Sequence, residues 1–311
     1  MTAPGPATLV PESGAMRLLR RMGLDRPAWS LRRLHCPVPA DALVLEVGSG
    51  GNPYARANVL LDAYEHTRER HWVPLVADRP TVLGFVERLP FRDGAFDFVI
   101  ASHVLEHSRD PARFLGELAR VARAGYIEVP DAFMERVNPY RDHRLEITQR
   151  DGRLLIRRKR HWRHDAELVD LYERRAKRWI AGETIPRHPF DFHVRHYWQG
   201  RIDFEVLDAD QPFAEETTGS TPSTHAAATS DSLRARLLRG TRTLLSQARR
   251  NRSIDLAALL RCPSCGGEHL QGRRDALECG HCAASYPVRN GIPVMYASLP
   301  DESRGGAGNT P

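Results

Sequence analysis

The stretch "LVLEVGSGGNPYARANVLLD", residues 43 to 62, decides the fold. One hydrophobic run ends in a cluster of glycines, and a second ends in a single aspartate. Both runs are short, apolar and bounded by turn formers, the pattern of strands buried on both faces of a parallel sheet. Glycines closing such a strand let a ligand approach the backbone, and their N–H groups can face a carboxylate or phosphate. Asp62, at the end of the second run, is placed to accept hydrogen bonds from a ribose diol.

Glycine loops of this kind serve several adenosine-containing cofactors, and three features separate them here. The order E-x-G-x-G over residues 46 to 50 differs from the GxGxxG dinucleotide fingerprint. Too few residues separate the runs for a long helix, so no helix dipole is offered to a pyrophosphate. S-adenosylmethionine carries no phosphate, only an amino-acid end that loop N–H groups and Glu46 can organise. The missing helix costs least for that cofactor.

Outward from this pair the α/β pattern continues. "TVLGFV" (81 to 86), "FDFVIAS" (96 to 102) and "GYIEVP" (125 to 130) read as three more strands. Between the last two, Asp110 is an N-cap and Pro111 suits the first helical turn. Phe114, Leu115, Leu118, Val121 and Ala122 fall on one helical face, and Gly125 follows as a stop. Strand, helix and strand in this order imply a parallel crossover. Residues 131 to 163 are less regular, with two strands expected around the turn Arg150-Asp151-Gly152. A helix is expected over 165 to 180, with Leu168, Leu171, Tyr172, Ala176 and Trp179 on a stripe. A hairpin over 192 to 207 is expected around Gln199-Gly200-Arg201. Its first strand reads as a partly buried edge, with His193, Arg195 and Tyr197 on one face.

The motifs "VLEVGSG" and "ERLPFRDGAFDFVIASHVLEHSRDPARFLGELARVARAGYIEVP" closely resemble class I S-adenosylmethionine-dependent methyltransferases of the methyltransferase type 11 kind, over roughly residues 40 to 130. The resemblance implies a Rossmann-like α/β fold, a seven-stranded sheet whose last strand is antiparallel, with the 192 to 207 hairpin supplying the last two strands. It implies a cofactor loop of Glu46, Gly48, Ser49 and Gly50, a ribose contact at Asp62, and Ser102 near the methionine end. The family often holds the adenine amino group with an acidic residue where this chain has Phe85. A backbone group at Val86 or Glu87, or an apolar shelf, is the expected substitute.

Methyl transfer is an in-line displacement for which the protein mainly supplies alignment, and a base is needed only for a hydroxyl or protonated amine acceptor. His103, directly after the fourth strand, is the first candidate. His107, and His143 in the irregular "NPYRDHR" segment, are the others. Glu106 and His107 also read as residues that only serve the strand-to-helix junction.

Near the C-terminus, Cys262, Cys265, Cys279 and Cys282 form C-x2-C-x13-C-x2-C. Two such knuckles give a closed tetrahedral thiolate cage for a structural Zn²⁺. A β-rich module this small needs the metal to fold. "LLRCPSC…CGHCAASYPVRNGIPVMY" resembles the small zinc-ribbon activator subunit of several tRNA and protein methyltransferases. The remaining cysteine, Cys36, reads as a small buried hydrophobe.

The expected organisation is an N-terminal extension (1 to 38), a methyltransferase domain (39 to 210) with an insertion at about 131 to 190, a tether and basic helix (211 to 253), a zinc ribbon (254 to 300) and a frayed tail (301 to 311). The 311 residues are 41% hydrophobic, enough for a core, and no run is long enough for a membrane span. With no signal-peptide layout at the N-terminus, a cytoplasmic protein is expected. Lys and Arg number 45 against 39 Asp and Glu, a net +6, with much of the excess in 153 to 164 and 233 to 252. Such blocks are usually solvated helix faces, but they also fit RNA. A small metabolite or glycan precursor is the favoured acceptor, because the insertion can lid a pocket. An RNA-modifying or RNA-binding protein and a non-catalytic scaffold are the competing readings, and the oligomeric state is left open.

Overall fold

The computed structural model describes residues 9–67, 73–159, 165–209 and 246–297. The basic segment 233 to 245, the tether and the frayed tail lie outside the described residues.

Two short helices, α1 (Gly14–Arg21) and α2 (Asp25–Ser30), lead into the sheet, with Ser13 capping α1 through Met16 N. Five mutually parallel strands follow: β1 (Val44–Val47), β2 (Val59–Asp62), β3 (Thr81–Leu83), β4 (Phe98–Ser102) and β5 (Ala124–Pro130). All but the last residue of β5 are buried, which explains why these strands read as continuous apolar runs. Helix α3 (Pro111–Val121) starts where the sequence places it. Asp110 accepts from Arg113 N at 3.0 Å, and Phe114, Leu115, Leu118 and Val121 are buried.

The crossover from β1 to β2 contains no helix, as its length requires, so its carbonyls need other partners. Arg79 supplies them. Its guanidinium is fully buried and donates to Ala57 O at 2.6 Å and Tyr54 O at 3.2 Å.

The insertion starts with α4 (Ala132–Val137) and a hairpin of β6 (Leu145–Arg150) and β7 (Arg153–Arg158). A helical run over 166 to 187 follows, interrupted by two π-helical turns, Tyr172–Ala176 and Ile180–Thr184. Its apolar stripe is only partly used: Tyr172 and Ile180 are buried, whereas Leu168, Leu171 and Trp179 are exposed.

Strand β8 (His193–Gln199) returns antiparallel to β5, giving the order β3-β2-β1-β4-β5-β8. The main sheet thus has six strands among the described residues, not the seven expected. The other arm of the hairpin, β9 (Phe204–Val206), leaves the sheet and pairs in parallel with β7. There Phe204 and Val206 cover the buried Leu154 and Ile156, an apolar face that the β6–β7 hairpin cannot bury alone.

The cysteine module is a four-stranded antiparallel sheet, β10 (Leu270–Arg273), β11 (Ala276–Cys279), β12 (Ser285–Arg289) and β13 (Ile292–Pro293). It packs into the same hydrophobic core as the main sheet through Leu260, Cys262, Cys279, Tyr286 and Met295. Beyond β13, Val294 bridges in parallel to Leu83, and Met295 N donates to Leu83 O at 2.7 Å. The chain's last described segment therefore covers the open edge of β3. No helix among the described residues is long and apolar enough to cross a membrane.

Candidate active site

The sheet order reverses between β1 and β4, and the crevice at the carboxyl ends of these strands is where open α/β sheets bind ligands. The loop after β1 and the turn after β4 open there onto one cavity of about 710 Å³. Gly48 and Gly50 have φ of 65° and 57°, which L-residues rarely adopt. A Cβ on Gly48 would lie 2.0 Å from the Val104 side chain, and one on Gly51 would lie 2.4 Å from Val73. The glycines are thus required twice, by conformation and by close approach.

Asp62 holds this loop in place. Its Oδ2 accepts from Gly50 N at 2.9 Å, and its Oδ1 accepts from Tyr64 N at 3.1 Å. Glu46, fully buried, accepts from Tyr54 N at 2.7 Å. Burial pushes its pKa up to about 7, against the opposing pull of the Arg33 guanidinium. Ser49 Oγ is buried without a hydrogen-bond partner in the protein. A buried acceptor, an orphaned hydroxyl and a tight glycine cradle are what a small polar adenosyl ligand with a charged amino-acid end needs.

Of the cofactor residues expected from sequence, Glu46, Gly48, Ser49, Gly50 and Ser102 line the cavity, whereas Asp62, Val86 and Glu87 are not among its lining residues. Glu87 instead accepts from the Ser108 hydroxyl at 2.6 Å. At the position of Phe85, its ring sits 5.9 Å from Tyr64 and 5.2 Å from Tyr296, centroid to centroid. Tyr296 comes from the end of the cysteine module and donates to Ala63 O at 2.6 Å. An aromatic shelf thus stands beside the ends of β2 and β3, where the family's acidic residue is absent.

The three expected histidines all line the cavity, but with different chemistry. His103 has φ of 58°, and its backbone N donates to Glu128 O at 2.7 Å. Its Nδ1 lies 3.5 Å from Glu106 Oε1 and its Nε2 lies 3.5 Å from Glu128 Oε1. Burial favours the neutral ring, but the two carboxylates outweigh it and raise the pKa to about 10. Nearly half of the side chain is exposed, and the two carboxylates favour its charged form. Glu128 is kept ionised despite its burial by His103, Arg195 and Arg32.

A residue that the sequence reading left in the edge strand completes this face. The His193 ring lies 5.8 Å from His103, edge to face, and its buried Nδ1 has no hydrogen-bond partner. Burial pushes its pKa down to about 4, so it is neutral where His103 is charged. The alternation of β8 placed His193 correctly beside Arg195. Nothing in the sequence showed that β8 joins β5 at the register that brings it to the cavity.

His107 and His143 meet ring to ring, 4.8 Å apart at 89°. His107 Nδ1 donates to Asp142 O at 3.0 Å, and His143 Nδ1 donates to Glu135 Oε2 at 2.6 Å. Glu135 is itself buried and paired with Lys159. Arg144 N donates to Glu106 O at 2.7 Å, fixing the insertion to the turn after β4.

A second cluster joins the four module cysteines. Cys262 and Cys282 Sγ are 3.6 Å apart, as are Cys265 and Cys279 Sγ. Backbone amides of Gly267 and His281 donate to Cys265 and Cys279 sulfurs at 3.3 and 3.4 Å. Sulfurs bonded at about 2.3 Å to one tetrahedral ion stand roughly 3.7 Å apart, so the cluster can hold a metal ion with little movement. Two residues of the basic blocks have partners within the chain. Arg153 pairs with Asp203 and Glu205, and Arg250 donates to Ala40, Asp41 and Ala42 carbonyls.

Residues 45–127 match the family model of the methyltransferase domain. An uncharacterised methyltransferase of Mycobacterium sp. (strain JLS) is 31% identical over 116 residues, 35% of this chain and 46% of that protein. Ajmaline N-methyltransferase of Rauvolfia serpentina is 46% identical over 37 residues, 12% of this chain and 13% of that protein. The chain thus spans less than half the length of either relative. A solved Haloferax volcanii complex between the Trm112 methyltransferase activator and a methyltransferase has a chain at 17% identity and TM-score 0.34, matched over 61% of this chain and 95% of that one. The segment from β1 to β5, which carries the glycine loop and the turn after β4, contains the stretch that matches the methyltransferase domain model.

Proposed function

We propose that the protein is an S-adenosylmethionine-dependent methyltransferase. The observation that carries this reading is the glycine loop: left-handed at Gly48 and Gly50, fixed by Asp62, and opening onto a cavity that is large enough for cofactor and acceptor together. Glu46 and Ser49 would hold the amino-acid end of the cofactor, Asp62 would face the ribose, and the Phe85 shelf would take the adenine. The cofactor supplies an electrophilic methyl group on a sulfonium. The chain's own residues bind and orient the acceptor, shield it from water, and hold charge at His103. His193, neutral and unpartnered, is the ring available to take a proton from an acceptor.

The cysteine cluster would hold a structural Zn²⁺, which the tetrahedral sulfur spacing supports. Reduced thiolates and a domain of this type fit a cytoplasmic location. A small metabolite or glycan precursor is the acceptor class that a half-open cavity partly lined by the insertion fits best.

Calorimetric titration with S-adenosylhomocysteine tests the reading. Binding in the micromolar range, lost in Asp62→Ala, is the expected result. No binding by the wild-type chain would leave a non-catalytic scaffold as the better account.

A further inference from the structure

We propose that Glu106, His107 and His143 form a second metal site, which holds a divalent transition-metal ion in the floor of the active-site cavity and takes a hydroxyl oxygen of the acceptor as a further ligand. The acceptor role rests on the methyltransferase reading; the metal site stands without it.

One donor atom from each of the three residues lies within 4.8 Å of the other two. Glu106 is 2% exposed, and neither carboxylate oxygen has a hydrogen-bond partner. A buried carboxylate left this way lacks the hydrogen bonds that water would give it. Its nearest cation, His103 Nδ1, is 3.5 Å away, beyond good hydrogen-bond distance. A cation within bonding reach removes that deficit.

The histidines are prepared in the way metal ligands are. Each uses Nδ1 to donate, His107 to a backbone carbonyl and His143 to a buried carboxylate. Each therefore presents Nε2 as a lone pair. A carboxylate behind a ligating histidine fixes the tautomer and raises the basicity of the ring. Glu135 is built for that place, held by Lys159 and by Tyr140 N at 3.1 Å. Tyr140 also stacks on His143 at 4.9 Å.

Two imidazoles and one carboxylate favour zinc, manganese, iron or cobalt over magnesium or calcium, and three protein donors leave coordination positions open. Donors bonded at about 2.0–2.2 Å to one ion stand roughly 3.4 Å apart, within the 4.8 Å span of the three atoms. The open positions face the cavity that the Gly48–Gly51 loop also lines. A hydroxyl bound there becomes more acidic through Lewis-acid polarisation. Its proton passes to the neutral His193 ring on the same cavity, its oxygen forms the new O–C bond, and the C–S pair returns to sulfur. Electrons and atoms balance with no further reactant.

Manganese(II) is the probe, because the four-thiolate cluster binds it poorly. Calorimetry on the full chain, zinc-loaded at the cysteines, should find one Mn²⁺ per chain. His107→Ala and His143→Ala should abolish it, while Glu135→Gln should weaken it about 10–100-fold with the thermal transition retained. No Mn²⁺ bound, or binding indifferent to both histidine variants, would overturn the site. If metal binds but turnover of hydroxyl acceptors in a library does not respond to Mn²⁺, the acceptor role fails while the site remains. S-adenosylhomocysteine binding without Mn²⁺ binding rejects this proposal alone; the converse rejects the methyltransferase reading alone.

Discussion

Gly48 carries two constraints at one atom. A methyl group there meets Val104 at 2.0 Å, and the backbone is left-handed. Gly48→Ala should destabilise the chain by roughly 2–4 kcal/mol, from about 1 of backbone strain and 1–3 of overpacking, and should weaken S-adenosylhomocysteine binding at least about tenfold. Urea melts and calorimetry check the two parts. Glu46 makes a pH-dependent contribution two positions earlier. Its folded pKa is raised from 4.5 to about 7, so the folded state binds its proton more tightly than the unfolded state does. The contribution is present in full below about pH 4.5 and is lost as pH rises through about 7. Comparing wild type with Glu46→Gln across that window should show the two stabilities diverging in favour of the variant, by up to about 3 kcal/mol at pH 8. A pH-independent difference would show that Glu46 is ionised throughout.

At the scale of elements, β5 and β8 touch at an unusually close crossing. A Cβ on Gly125 would come within 2.6 Å of the Trp198 indole, the residue opposite it in register. Gly125→Ala should cost about 1–3 kcal/mol of stability, read as a lowered thermal midpoint, because a buried ring on a paired strand has nowhere to move. Gly125 had looked in the sequence like a helix stop after α3. Its stronger role is in a pairing that local pattern does not encode. The same limit applies elsewhere. The five parallel strands and α3 were legible because burial on both faces, caps and periodicity are local signals. The fate of β9 was not, because the choice between β8 and β7 turns on which apolar face remains uncovered after the rest has folded. Likewise His103 and His143 were identifiable as candidates. Their ion-pair partners are Glu106, Glu128 and Glu135, whose positions arise only from tertiary contacts.

Across the whole molecule, the cysteine module is not an appendage. Leu260, Cys262, Cys279 and Met295 share a core with the main sheet, Arg261 pairs with Asp93, and Arg92 N donates to Leu259 O at 2.9 Å. Chelating the metal, or making Cys262→Ser, should therefore lower the melting temperature of the entire chain in one transition. Two separated transitions in calorimetric scans, with the methyltransferase transition unmoved, would show the two units to be independent.

The pairing of Val294 and Met295 with β3 also sets an order on biosynthesis. While the chain is being made, β3 stands as an open edge, its hydrogen-bonding groups exposed, until nearly the last described residues leave the ribosome. The nascent α/β sheet is thus a partly protected intermediate, and a chain stopped before the cysteine module should pair edge to edge and precipitate. Delivery of metal to the cysteines would then govern how much usable protein each round of translation yields.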